Sequence, residues 1–163
     1  MPAVIDLPRR RGPRPSTTPT NPHTQLDQQP DDDGPREALV RKVFALEGVE
    51  ERPSVISVPG ARALWLRDDL PAGPREAFLI EREFAHLHPA PDHSLHMALP
   101  PDLVELAVRQ GWAELHPVAA RGLIPQTAVM VYAPRNASEV EAVAGLVEAS
   151  WRFARGEFPM RAW

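Results

Sequence analysis

Apolar residues at helical spacing mark three segments of the chain. The first begins at Pro35, a favoured first helical position, carries its apolar stripe from Leu39 to Phe44 and ends by Gly48. The second is predicted over 102–110. The third is predicted over 136–155, because Asn136 with a glutamate three residues later resembles a capping box.

An alternation of period two predicts strands between these helices. The predicted strands cover residues 54–58, 61–66, 77–88, 94–99 and 127–132. Strands grouped in the middle of the chain, with helices towards its ends, predict an α+β fold with an antiparallel sheet of about five strands and helices packed on one face. A parallel sheet fits poorly, because no crossover helices separate the first four strands.

Residues 1–34 are predicted to be a disordered, proline-rich tail, and 35–163 a single domain. The first 35 residues contain eight prolines and almost no apolar pairs, so they offer little surface to bury against chain entropy. Basic residues at 9–14 and aspartates at 31–33 are typical of a solvated linker. A tether for an acidic partner is the alternative.

Composition narrows the classes of function. The chain has no cysteine, which excludes disulfides, thiolate chemistry and cysteine-based zinc sites. The formal net charge of −4 gives no indication of nucleic-acid binding. No apolar run approaches the roughly 20 residues that span a bilayer. We therefore expect a cytoplasmic protein with no membrane or nucleic-acid partner, and the oligomeric state stays open.

The most informative segment is a predicted hairpin between residues 83 and 99, rich in histidine. Its aliphatic residues occupy odd positions, namely Ala85, Leu87, Leu95, Met97 and Leu99. Its polar residues occupy even positions, namely His86, His88, Ser94 and His96. Both aliphatic sets share a face only if His86 opposes His96 and His88 opposes Ser94, around a loop at 89–93. Three imidazoles should therefore converge on one side of the sheet.

Three interpretations of this convergence are open. His86, His88 and His96 could bind a divalent transition metal, since imidazole suits zinc, copper, iron and nickel. They could instead line a metal-free pocket, as neutral bases and hydrogen-bond partners of an organic ligand. They could also be structural. His116 follows the second helix and could reach the same face.

Four motifs in this region resemble the fungal-luciferase-like domain family, which includes the fungal light-emitting enzyme and many uncharacterised bacterial proteins. They are Glu-Phe-Ala-His-Leu-His-Pro at 83–89, the segment 92–96, Gly111-Trp112 with His116-Pro117, and Tyr-Ala-Pro-Arg at 132–135. The resemblance extends from about residue 75 to about 153. It implies an α+β domain that acts on a small organic molecule.

The resemblance implies a cofactor-independent oxygenase, an oxidoreductase of the monooxygenase or dioxygenase type. In the fungal enzyme, a polyphenolic pyrone adds O₂ and loses CO₂ with emission of light. By analogy His86, His88, His96 and His116 are the expected catalytic residues, and Trp112, Tyr132 and Arg135 the expected substrate-binding residues. The expected partners are a planar acidic small molecule and O₂, with no cofactor. A metal-dependent histidine enzyme and a non-catalytic ligand-binding or protein-interaction module are the alternatives. Kinship of fold does not imply light emission.

Overall fold

The computed structural model describes residues 5–158 of the protein. A sheet of six antiparallel strands organises this part of the chain. The helices are α1 (Gly34–Val43), α2 (Pro101–Arg109), α3 (Pro117–Ala120) and α4 (Ala137–Ala154). The strands are β1 (Val49–Pro53), β2 (Arg62–Leu66), β3 (Glu83–Leu87), β4 (Leu95–Ala98), β5 (Ala113–Leu115) and β6 (Ala128–Val131). Their order in the sheet is β1-β2-β3-β4-β6-β5. The predicted α+β class and antiparallel sheet are confirmed.

Strand boundaries differ from the prediction at two places. The alternating stretch 54–58 is a loop that exposes Val55 and Ile56, and the strand paired with β2 is β1. The segment 77–88 is extended only over β3, because a 3-10 turn occupies Arg75–Ala77 and Glu81 has a φ of 49°. Alternation alone therefore did not distinguish a paired strand from an extended loop. The short elements β5 and α3 were not predicted.

One face of the sheet carries the hydrophobic core. The aliphatic residues of β3, β4 and β6 that lie there are almost fully buried, beside Val143, Val147 and Phe153 of α4; they are Ala85, Leu87, Leu95, Met97, Val129 and Val131. Helix α1 packs against α4. Asn136 caps α4 as predicted, because its side-chain oxygen accepts a hydrogen bond from the Glu139 amide at 3.0 Å. Buried residues of α1, α2 and α4 all belong to this core, so these three helices pack on its side of the sheet.

Residues 5–33, here called the N-terminal segment, depart from the expected disorder. They form irregular chain with buried side chains at Leu7, Arg10, His23 and Gln25. Hydrogen bonds attach the segment to the rest of the protein: the Gln25 side chain accepts one from the Ala133 amide at 2.9 Å, and the Arg10 amide donates one to a carbonyl of α2's C-cap. Residues 1–4 of the predicted tail lie outside the described part.

Within residues 5–158, none of the helices combines the length and the apolar character that crossing a bilayer requires.

Candidate histidine site

The predicted register of the hairpin is confirmed. His86 pairs with His96 across β3 and β4, and the neighbouring pairs join Ala85 to Met97 and Leu87 to Leu95. One step beyond the strands, the His88 amide donates to the Ser94 carbonyl at 3.1 Å. The three imidazoles therefore project from the face opposite the core.

Five histidines meet on this face: His23, His86, His88, His96 and His116. They are called the histidine cluster below. His96 is at its centre, with its ring centroid 4.6 to 5.2 Å from those of the other four. All are buried except His116, which is half-buried.

Carboxylates fix the hydrogen positions of two rings in the histidine cluster. Nδ1 of His86 lies 2.8 Å from Oε2 of Glu83. Nδ1 of His88 lies 3.0 Å from Oδ2 of Asp92, and 2.9 Å from the Ser94 hydroxyl. Because a carboxylate only accepts, each Nδ1 must carry the hydrogen. Each neutral ring then presents an unprotonated Nε2 to the centre of the histidine cluster.

A third carboxylate orients the other side of the histidine cluster. Nε2 of His23 lies 2.8 Å from Oε2 of Glu114, so it donates, and Nδ1 of His23 is left as an acceptor. That Nδ1 lies 2.9 Å from Nε2 of His96, which must donate in turn. His116 differs, because its Nδ1 accepts from the Val118 amide at 3.1 Å, and its Nε2 carries the hydrogen.

Burial favours the neutral form of three rings in the histidine cluster, His86, His96 and His116. It lowers the pKa of His96 well below 6.5, and the neighbouring histidines lower it further. The pKa of His86 is also lowered by burial, against the opposing effect of Glu83. For His116, burial and the nearby histidines lower the pKa to about 4. These three rings thus offer hydrogen-bond donors and lone pairs rather than positive charge.

Glu114 is the anchor between the N-terminal segment and the sheet. Its Oε2 accepts hydrogen bonds from His23 and the Thr17 hydroxyl, and its Oε1 from Arg14 and the Tyr132 hydroxyl. Burial alone would raise the pKa of this carboxyl, but these hydrogen bonds outweigh it and lower the pKa to about 2. Burial, together with the adjacent Glu114, raises the pKa of Tyr132 to about 12, although Arg14 opposes this shift.

A cavity of about 390 Å³ opens beside the histidine cluster. All five histidines of the cluster line this cavity. His23 belongs to the N-terminal segment, and the other four are His86, His88, His96 and His116. The remaining walls are mainly apolar, with Ile56, Val58, Leu79, Ile124 and Ala128, and also include the polar residues Asn21, Thr24 and Ser57. Apolar walls with a few convergent polar groups are typical of small-molecule sites.

The structure brings the four histidines predicted as catalytic to this cavity, but not the three residues predicted to bind substrate. Trp112 is buried under the N-terminal segment and donates to the Pro8 carbonyl. Tyr132 is enclosed by Arg14 and Glu114. Arg135 makes an ion pair with Glu139 on α4. The motif spacing gave no indication that a folded segment would cover Trp112 and Tyr132.

Sequence reasoning missed His23, because it lies in the segment predicted to be disordered. It also gave no role to Glu83 and Glu114, which are both largely buried against histidines. Asp92 shapes the turn, because its Oδ1 accepts from the Ser94 amide at 2.9 Å. Its second oxygen contacts His88, a role that the sequence did not indicate. The spacing of Glu83 and His86 was the one available signal for a carboxylate partner.

Comparison with known proteins identifies similar chains. The luciferase-domain family model matches residues 81–150. The luciferase of Armillaria gallica is 32% identical over an alignment of 162 residues. The match covers 89% of this chain and 60% of that protein. The luciferase of Neonothopanus nambi is 31% identical over 161 residues, with 90% and 60% covered. The chain thus spans about 60% of the length of these curated relatives. No solved structure matches it.

Proposed function

We propose that the chain is a luciferase-like oxygenase, because it is 32% identical to the Armillaria gallica luciferase and the luciferase-domain family model matches residues 81–150. Its ligand is a planar organic molecule with an acidic O–H group, bound in the histidine-lined cavity. The observation that carries this proposal is the set of unprotonated ring nitrogens beside an apolar-walled cavity of about 390 Å³.

The cavity and the histidine cluster are suited to different parts of such a ligand. Ile56, Val58 and Leu79 offer apolar contacts for a ring system. Nε2 of His86 and Nε2 of His88 offer lone pairs to an acidic O–H. A phenol or enol satisfies both requirements, because its acidic oxygen is attached directly to a flat apolar ring.

The proposed reaction begins with transfer of the ligand's O–H proton to one of these nitrogens. The resulting enolate concentrates electron density on a ring carbon, and that carbon gives an electron pair to O₂. A carbon–oxygen bond forms and O₂ is reduced to the peroxide level. The peroxide anion then takes up the proton, so the ligand and O₂ combine as a hydroperoxide. His116, which carries its hydrogen on Nε2, donates to the developing oxyanion.

Matched ligands test the proposal. A hydroxylated 2-pyrone and its O-methyl ether have nearly the same shape, but only the first has the acidic proton. We expect the hydroxyl compound to bind at least tenfold more tightly in calorimetry and to consume one equivalent of O₂ in an oxygen electrode. His116→Gln should slow O₂ uptake, and His93→Gln, on the same hairpin but outside the cavity, should not.

Two results would contradict the proposal. Equal affinity for the methyl ether would show that the acidic proton plays no part in binding. Tight binding of the hydroxyl compound without O₂ uptake would favour the non-catalytic ligand-binding alternative.

A further inference from the structure

Three neighbouring ring nitrogens in the histidine cluster carry no hydrogen. Nε2 of His86 and Nε2 of His88 are lone pairs, because the hydrogens of both rings are directed to carboxylates. His96 donates through Nε2 to His23, so its Nδ1 is also a lone pair. That Nδ1 lies 3.2 Å from Nε2 of His86 and 3.0 Å from Nε2 of His88. Nδ1 of His96 therefore lies at contact distance from both Nε2 atoms, with no hydrogen among the three nitrogens.

Three convergent lone pairs repel one another unless a cation lies between them. A proton could bridge only one pair of nitrogens and would leave the third without a partner. A transition-metal ion accepts all three. Ligands at 2.0–2.1 Å in tetrahedral geometry are roughly 3.3–3.4 Å apart, close to the two separations observed here.

We propose that His86, His88 and His96 form a binding site for one divalent first-row transition-metal ion, held by Nε2, Nε2 and Nδ1. Three imidazoles without a thiolate suit zinc, cobalt, nickel, iron or copper. The three rings border the cavity, so an ion would present its open coordination positions there. This inference goes beyond the proposed function, which needs no metal: with an ion bound, the lone pairs of His86 and His88 would hold the ion instead of accepting the ligand's proton, and the ion would hold the ligand's oxygen.

The surroundings of the three rings match those of known metal-binding histidines. Such rings almost always donate their second nitrogen to a carboxylate, a carbonyl or water, which fixes the tautomer. Here Glu83 performs this role for His86 and Asp92 for His88, and His23, itself bonded to Glu114, does so for His96. All three ligand side chains thus have an acceptor behind them.

A second trio, His23, His96 and His116, is close enough to be considered, but its hydrogens do not fit a metal. Nδ1 of His116 accepts the Val118 amide, so its Nε2 carries a hydrogen. Nδ1 of His23 already accepts the hydrogen of His96. The two trios therefore make different predictions for substitution of His116.

Cobalt titration of the full chain tests the site in the absence of any organic ligand. Protein is stripped with a chelator, dialysed and titrated with Co²⁺, while visible d–d absorption and bound metal per chain are measured. We expect one Co²⁺ per chain. His88→Gln should weaken binding by more than about 100-fold, since even residues behind the ligands typically contribute about 10- to 100-fold. Glu83→Gln, which leaves all three rings in place, should weaken it by about 10- to 100-fold.

Two controls keep the test specific. His93→Gln makes the same chemical change on the same hairpin, and His116→Gln makes it within the histidine cluster. Both should bind Co²⁺ as the unsubstituted chain does, and circular dichroism confirms the fold of each variant. Loss of binding in His116→Gln with retention in His88→Gln would overturn the assignment, as would the absence of stoichiometric Co²⁺ binding. Failure here would leave the pyrone experiment unaffected, because that experiment does not depend on metal.

Discussion

Replacement of Glu114 by glutamine should release the N-terminal segment from the sheet. The carboxylate accepts four hydrogen bonds, three of them from Arg14, Thr17 and His23 of that segment. Glutamine keeps the shape of the side chain but replaces one oxygen with an NH₂ group. That group faces donors, so at least one pair of hydrogen bonds is lost, together with the negative charge.

The size of the effect follows from the pKa of Glu114. Its fall from 4.5 to about 2 corresponds to roughly 3 kcal/mol. The side chain is only 14% exposed, so solvent screening reduces this figure little. Hydrogen bonds to charged groups contribute about 1.5–3 kcal/mol each, which is consistent. Because the amide still accepts through one oxygen, we expect a loss of about 2–3 kcal/mol, or an opening constant raised about 30- to 150-fold.

Hydrogen exchange measures this opening directly. The amides of Thr18, Thr24 and Leu26 are hydrogen-bonded within the N-terminal segment, and their protection depends on its docking. They should exchange about 30- to 150-fold faster in Glu114→Gln, while amides of the core strands keep most of their protection. Glu105→Gln, at an exposed position of α2, is the matched control. If protection of the segment changes less than threefold, Glu114 does not hold it and the reasoning is wrong.

Four further predictions concern stability. Because the folded pKa of Glu114 lies below its ordinary value, its contribution is complete above about pH 4.5 and should disappear as pH falls towards 2; urea unfolding across that range should show this slope, and Glu114→Gln should flatten it. Asn136→Ala removes the cap of α4 and should cost about 1 kcal/mol, a fall of about 2–4 °C in Tm by calorimetry, whereas Asn136→Asp should retain the cap. Gly145→Ala should raise stability by about 0.5–1 kcal/mol, because its added Cβ meets open space within α4. Gly73→Ala should lower it by more than about 1 kcal/mol, because its Cβ would lie 2.3 Å from the Phe153 carbonyl oxygen; equal effects in urea unfolding would contradict both assignments.

The hairpin could be predicted from sequence because its information is local. Parity of side chains along β3 and β4 determines which residues share a face, and a shift of one position would expose Leu87 or Leu95. The same reasoning failed at 54–58, where alternation occurs without a partner strand on that stretch. The two stretches alternate in the same way but differ in burial: the strands of the hairpin are buried, whereas Val55 and Ile56 are exposed.

The role of the N-terminal segment could not be predicted because its contacts are distant in sequence. Composition indicates only whether a stretch has enough apolar surface to bury within itself, and residues 5–33 do not. They are held instead by hydrogen bonds to residues about 90 positions away, such as that of His23 to Glu114. The match to the Armillaria gallica luciferase covers 89% of the chain, so it includes part of residues 1–34.

The N-terminal segment also determines which ring nitrogens of the histidine cluster carry hydrogens. Glu114 requires the hydrogen of His23 on Nε2, which makes Nδ1 of His23 an acceptor. His96 must then donate through its own Nε2, and its Nδ1 is left as a lone pair facing His86 and His88. Without the segment, His96 could carry its hydrogen on Nδ1 and bond to either ring. The hairpin supplies the convergence of three imidazoles, but the N-terminal segment determines what their nitrogens present to a ligand.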